Sequence, residues 1–248
     1  MKRKISKYLL VFYITSIILV LYSGYLIIDW FIDNNQNKKA KDHVLEITNI
    51  SKITKDRYPY IQIDFSNLII ENNQTIGWIQ VPNTNINYPV VQTTDNDYYL
   101  NHNFYKKYNL AGWPFLDYRN TINADSNTII YGHNRLDESM FGTLKKLLNQ
   151  DYHKTNRYIF FNTLDTMNTY EIFSVYTINA NDFKATINFN NDTEYEEYLK
   201  NIKNLSTVNL KSTVKSTDKI ITLYTCSDNT NDRTIVHAKL IQTKKLDK

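Results

Sequence analysis

Cysteine is almost missing from this chain: Cys226 is the single one in 248 residues. No internal disulfide can form, so the cross-linked frameworks common in small secreted domains are excluded. Glycine is scarce too, with five in the whole chain, and no glycine-rich phosphate loop is present. There is no C-x-x-C or H-E-x-x-H spacing for a metal, and no G-x-S-x-G elbow for a serine nucleophile. A charge surplus is also lacking where it would count. The chain has 29 Lys and Arg against 25 Asp and Glu, but Lys2, Arg3, Lys4 and Lys7 account for the whole excess. Residues 29–248 are balanced, which argues against a nucleic-acid-binding domain, whose basic surplus must neutralise phosphates. Neither repeats nor low-complexity tracts occur.

What the chain does have is one long apolar run. Residues 8–28 read YLLVFYITSIILVLYSGYLII without a charge, long enough to cross a bilayer as a helix at about 1.5 Å per residue. Basic residues precede it and Asp29 and Asp33 follow, a polarity that keeps the N-terminus in the cytoplasm and puts the rest outside. The alternative, a cleaved signal peptide, is disfavoured by the length of the run and the lack of an A-x-A-like site after it. The expected organisation is a basic leader over residues 1–7, a transmembrane anchor over 8–28, a juxtamembrane stalk with one or two short helices over 29–64, and an outer domain over 65–248. The Asn-, Ile-, Lys- and Tyr-rich composition, joined to an anchor, points to a Gram-positive surface.

Beyond residue 65 the pattern is of short strands. IGWIQV (76–81) and INYPVV (86–91) flank a PNTN turn, and Pro89 marks an edge or irregularity. Strands are also expected near 114–118, 127–131, 157–162, 169–178, 219–225 and 233–242. Helical spacing appears over 97–104, 140–148 and 193–205. The sum is a mainly β barrel or sandwich with helices inserted in its connections.

Cys226 ends the run IITLYTC and opens a polar loop. A cysteine outside a disulfide often fills a core, yet a strand end beside a loop is where catalytic groups are displayed, and both readings stand on this feature alone. Of five histidines, His43 and His153 lie in polar stretches that read as surface. His237 lies within a strand that would pack it, and His102 follows a short helix. His133, in NTIIYGHN, sits at a strand end like the thiol. Imidazole takes a thiol proton and can later protonate a leaving amine. Arg233 begins the strand that returns after Cys226, where a fixed cation can meet a developing oxyanion.

TLYTC at 222–226, YGHN at 131–134 and Arg233 together resemble the signature of sortases, membrane-anchored cysteine transpeptidases of Gram-positive bacteria. The resemblance spans about residues 76–241. NYPVVQ (87–92), YLNHNF (99–104), FLDYRN (115–120) and the helix at 193–205 are more narrowly similar to class B. The resemblance implies an eight-stranded barrel with N-terminal helices and a helix between strands six and seven. It also implies Cys226 as nucleophile, His133 as acid and base, and Arg233 at the substrate carbonyl. Asn96, Leu100 and Tyr224 match the substrate groove, although Asn96 and Leu100 read equally well as a helix cap and helix packing. The implied partners are surface proteins bearing a sorting signal and a peptidoglycan amine, from a precursor or cross-bridge. No metal or organic cofactor is implied. A variant joining pilin subunits through a lysine, and a binding module with a structural Cys226, are the alternatives. The papain-like order, cysteine before histidine, does not fit. Two departures bear on the motif selected: Ser227 stands where some relatives carry an acid, in a short loop, and small residues occupy the wall near Ala180 to Ala185.

Overall fold

A computed structural model of the chain describes residues 6–54, 57–226 and 231–246. Lys2, Arg3, Lys4 and Ser227 lie outside the described residues. The first element is one continuous helix, α1 (Lys7–Glu46). Its large apolar side chains from Tyr8 to Ile32 are exposed, and an 18-residue stretch of it has a mean hydropathy of 2.1. It is long and apolar enough to cross a membrane. The short helices expected after residue 29 are instead the continuation of α1, because no proline or glycine interrupts residues 29–46. That continuation buries Asn37, Ala40 and Val44 at helical spacing. A two-stranded hairpin, β1 (Ile50–Ile53) and β2 (Tyr60–Ile63), and a short helix, α2 (Ser66–Glu71), lead into the main sheet.

That sheet closes into a barrel of eight strands. In chain order they are β3 (Thr75–Gln80), β4 (Asn87–Val91), β5 (Phe115–Leu116), β6 (Asn127–His133), β7 (Tyr158–Thr163), β8 (Thr166–Asn179), β9 (Ile220–Cys226) and β10 (Asp232–Lys245). Around the barrel they run β10, β8, β7, β3, β4, β5, β6, β9, and β9 pairs again with β10. Closure gives each barrel strand a neighbour on both sides, which is how a small all-β domain limits edge-to-edge association. Pro89 does mark an irregularity: β4 meets β5 through a single pair, Val91 with Phe115, and the Pro89 carbonyl accepts the Trp113 indole N–H at 2.9 Å.

Helix α3 (Asp192–Asn204) lies between β8 and β9, the sixth and seventh barrel strands. Asn191 caps it by accepting from the Glu194 N–H, and Tyr195, Leu199 and Ile202 are its buried stripe. They form a second apolar cluster with Phe173, Tyr176, Ile220 and Ile235 of the sheet. The other two expected helices are only short 3₁₀ helices, at Tyr98–Leu100 and Leu144–Leu148. Met140 adopts a positive φ of 50° and breaks the helical path that its spacing suggested.

Candidate active site

The parallel ladder between β6 and β9 builds the site. It runs without a shift from Asn127 and Ile220 to His133 and Cys226, which are partners at the last position of both strands. Directly paired residues of neighbouring strands project to the same face about 4.8 Å apart. The thiol and imidazole, 93 residues apart in sequence, are thereby neighbours at one barrel end. Just past them the Asn134 N–H donates to the Cys226 carbonyl at 2.7 Å. Cys226 is partly buried and makes no disulfide.

Three contacts fix His133, whose residue is 8% exposed. Its Nε2 lies 2.7 Å from the Leu100 carbonyl. A carbonyl only accepts, so Nε2 carries hydrogen and Nδ1 is left to exchange a proton. The second contact is Gly112, at a φ of +59°. A Cβ there would approach the Tyr99 and Leu100 carbonyls at 2.5 and 2.7 Å and His133 Cδ2 at 3.0 Å. Glycine thus permits both the left-handed turn and the seating of the ring. The third is the Phe141 N–H, which donates to the His133 carbonyl at 2.9 Å.

Arg233 arrives by register. The β9–β10 ladder pairs Tyr224 with Ile235, and Thr225 then bonds Thr234 through its side chain, accepting from the Thr234 N–H at 2.8 Å. The ladder itself ends at Tyr224 and Ile235; its register, extended two positions past Tyr224, would bring Arg233 opposite Cys226. Tyr224 records both neighbours: burial pushes its phenol up, the Arg233 cation and its hydrogen bond draw it back down, and Cys226 raises it. Tyr224 also meets Tyr131 edge-on at 5.4 Å and Phe183 at 4.8 Å.

The remaining groove candidates fall on one segment. Asn96 Oδ1 accepts the Tyr118 N–H at 3.0 Å. Leu100 is half-buried against the core, while its carbonyl holds the histidine. Two expectations need correction. The stretch from Ala180 to Ala185 is not a wall of small residues only, since Phe183 stands in it and packs on Tyr224. His153 is buried, its Nε2 donating to the Leu147 carbonyl, rather than exposed.

One constellation was not anticipated. Asp117 is fully buried and receives both Arg119 Nε, at 2.9 Å, and Nη2, at 2.6 Å. The Arg119 backbone N–H at 3.0 Å and the Tyr131 hydroxyl at 2.8 Å add two more bonds. Burial pushes the Asp117 carboxyl up, but the Arg119 bonds and Tyr131 outweigh it and hold the group below the usual range. Tyr131 itself is pushed up by burial and by the Asp117 charge, and it senses Cys226. Arg119 also donates to the Ala185 carbonyl at 3.2 Å, tying this network to the groove wall. The visible signal was the D-x-R spacing in FLDYRN.

Residues 79–241 match the Sortase domain family. The chain belongs to the sortase family. Sortase B of Listeria monocytogenes is 33% identical over 225 residues, covering 89% of this chain and 92% of that one. The sortase B–substrate complex of Staphylococcus aureus is similar at a TM-score of 0.69 and 35% identity, over 72% of this chain and 84% of that one. A sortase B complexed with triglycine matches equally, at 0.69 and 35%, over 72% and 85%. This sortase is therefore a cysteine transpeptidase of class B type, and its barrel is the one expected from its sequence. Among the described residues no group of three His, Cys, Asp or Glu side chains could hold a metal ion.

Proposed function

We propose that this sortase cleaves a C-terminal sorting signal after threonine and transfers the surface protein to a peptidoglycan amine. The observation that carries the reading is the shared strand-end register of His133 and Cys226, and Arg233 lies two residues from Ile235, where the pairing of β10 with β9 ends. In the first step His133 Nδ1 takes the Cys226 thiol proton and the sulfur attacks the threonine carbonyl. A C–S bond forms, the peptide C–N bond breaks, and His133 delivers a proton to the departing amine. In the second step an acceptor amine attacks the thioester and loses a proton to His133. The new C–N bond forms as the C–S bond breaks and the thiolate is regenerated. Arg233 steadies the carbonyl oxygen as negative charge develops on it.

Asn96, Leu100 and Tyr224 form the substrate groove, with Leu100 as apolar wall and Asn96 as hydrogen-bond partner for the peptide backbone. The substrate complex and the triglycine complex of related sortases B support a peptide donor and an amine acceptor. The apolar part of α1 anchors the chain in the cell membrane, with the N-terminus in the cytoplasm and the barrel on the outer face. The test is turnover of a labelled sorting-signal peptide library with several amine acceptors, by the full chain in detergent micelles. A thioester on Cys226 and a loss of all turnover in Cys226→Ala are expected. Unchanged turnover in that variant would overturn the mechanism.

A further inference from the structure

Helix α1 does more than lead into the barrel. Its buried stripe begins at Asp33, the residue after the last exposed apolar side chain, Ile32. Asp33 and Asn34 are half-buried and Asn37 is fully so. They reach two different segments of the barrel domain. The first is the turn 109–112: the Leu110 N–H donates to Asp33 Oδ1 at 2.8 Å, and Asn109 Nδ2 donates to the Asp33 carbonyl at 3.2 Å. The second is the loop 134–142. Arg135 donates to Asn34 Oδ1 and pairs with Asp33 Oδ2 at 3.5 Å, with both side chains 13% exposed. Asn37 Nδ2 donates to Ser139 Oγ at 3.2 Å. One helical turn further along, Lys41 donates to the Asn85 carbonyl at 2.8 Å, and Asn85 in turn donates to the Glu138 carbonyl at 3.2 Å.

These two segments are the ones that seat His133. The turn ends in Gly112, whose α-carbon faces the imidazole, and its Gly112 N–H closes back on the Asn109 carbonyl at 3.0 Å. The loop leaves from His133 and returns to it, through the Asn134–Met140 bridge and the Phe141 N–H bond to the His133 carbonyl. Glu138 and Met140 hold φ values of 61° and 50°. Non-glycine residues keep that conformation only where their surroundings over-determine it. Ser139, between them, is held by Asn37.

We propose that α1 is a positioning element of the active site: Asp33, Asn34 and Asn37 clamp the 109–112 turn and the 134–142 loop, and so set the imidazole of His133 against Cys226. The helix that anchors the chain and the catalytic histidine then move as one unit. This rests on the transpeptidase reading above for its kinetic consequence, and on geometry alone for the clamp.

The test compares wild type with the Asp33→Ala, Asn37→Ala double variant, as full chains in detergent micelles. Two readouts are taken: hydrogen exchange of peptides covering 131–143 and 170–178, and kcat and KM on a sorting-signal peptide. Loosening of the clamp speeds exchange over 131–143 about tenfold and leaves 170–178 unchanged, since local opening does not require global unfolding. kcat falls about tenfold with KM within about twofold, as expected for a misplaced catalytic group. Asp33→Asn, which retains the acceptor for Leu110, recovers most of the rate relative to Asp33→Ala. Unchanged exchange over 131–143, a uniform rise that includes 170–178, or an unchanged kcat despite faster local exchange would each overturn the proposal. If the wild type turns over no sorting peptide, the assigned function has failed, and the clamp is then judged on exchange alone.

Discussion

Two histidines in this barrel show how position along a strand decides what the same side chain does. His133 ends β6 and gives Nε2 to a carbonyl, an acceptor that serves neutral and cationic imidazole alike. Its second nitrogen is left for chemistry. His237 sits in the middle of β10, four residues beyond Arg233, and is fully buried. Thr222 donates its one hydrogen to Asn127 Oδ1 at 2.8 Å, because Asn127 Nδ2 is committed to the Thr186 carbonyl. The Thr222 oxygen must then accept from His237 Nδ1, also at 2.8 Å, and Tyr176 donates to Nε2 at 3.0 Å. Both nitrogens are satisfied in the neutral form, and burial pushes the group down to about 3. One ring is hydrogen-bonded through Nε2, and the other has both nitrogens engaged.

The sharpest way to break this contrast is to delete each ring. His133→Ala loses activity by about 10²–10⁴-fold, the usual worth of a positioned acid–base group, with its thermal unfolding little changed. Wild-type rates in that variant would remove His133 from the chemistry. His237→Ala does the reverse. It opens a cavity and strips partners from Thr222 and Tyr176, a loss of about 2–4 kcal/mol in denaturant unfolding, while the surviving folded fraction turns over peptide at a rate close to wild type.

The pH dependence separates them further. His237 is depressed in the folded chain and near 6.5 when unfolded. Below 6.5 the unfolded state therefore binds the extra proton, and its share of stability, complete above that pH, is lost as pH falls toward about 3. The slope from this group approaches about 1.4 kcal/mol per pH unit. Asp117, held low in the folded state, adds a loss of the same sign within the carboxylate range. Urea unfolding from pH 7 to 4 should show the steeper decline in wild type. A variant lacking His237 should lose part of the decline that begins near 6.5, the remainder coming from His153, which burial also lowers. An identical decline would mean the His237 ring is not buried neutral.

The contrast also marks what could be read from the chain. Strand-end display put Cys226 and His133 in view, since apolar runs such as NTIIY and IITLY break into polar loops at those residues. Nearly every barrel strand was visible for the same reason. Burial of polar groups was not visible, because it leaves no apolar period. Asp33, Asn34 and Asn37 looked like a solvated stalk, yet they form the face by which α1 docks. His153 looked like surface for want of any sign of its carbonyl partner. Asp117 and Arg119 were not singled out within FLDYRN, and their network includes Tyr131, which a different strand supplies.

The smallest expected effect probes that last network. Tyr131→Phe keeps the ring that meets Tyr224 edge-on and removes only the hydroxyl donated to Asp117. Asp117 keeps its three bonds from Arg119, one from the backbone N–H and two from the guanidinium, so no carboxylate is left stranded. The loss should be about 1 kcal/mol in stability, the ordinary net worth of one hydrogen bond, with kcat/KM within about threefold of wild type. The ring, not the hydroxyl, then accounts for the part of Tyr131 that borders the thiol. A rate loss of 10²-fold or more, the size expected of an acid–base or oxyanion group, would instead put the Tyr131 hydroxyl in the chemistry beside His133.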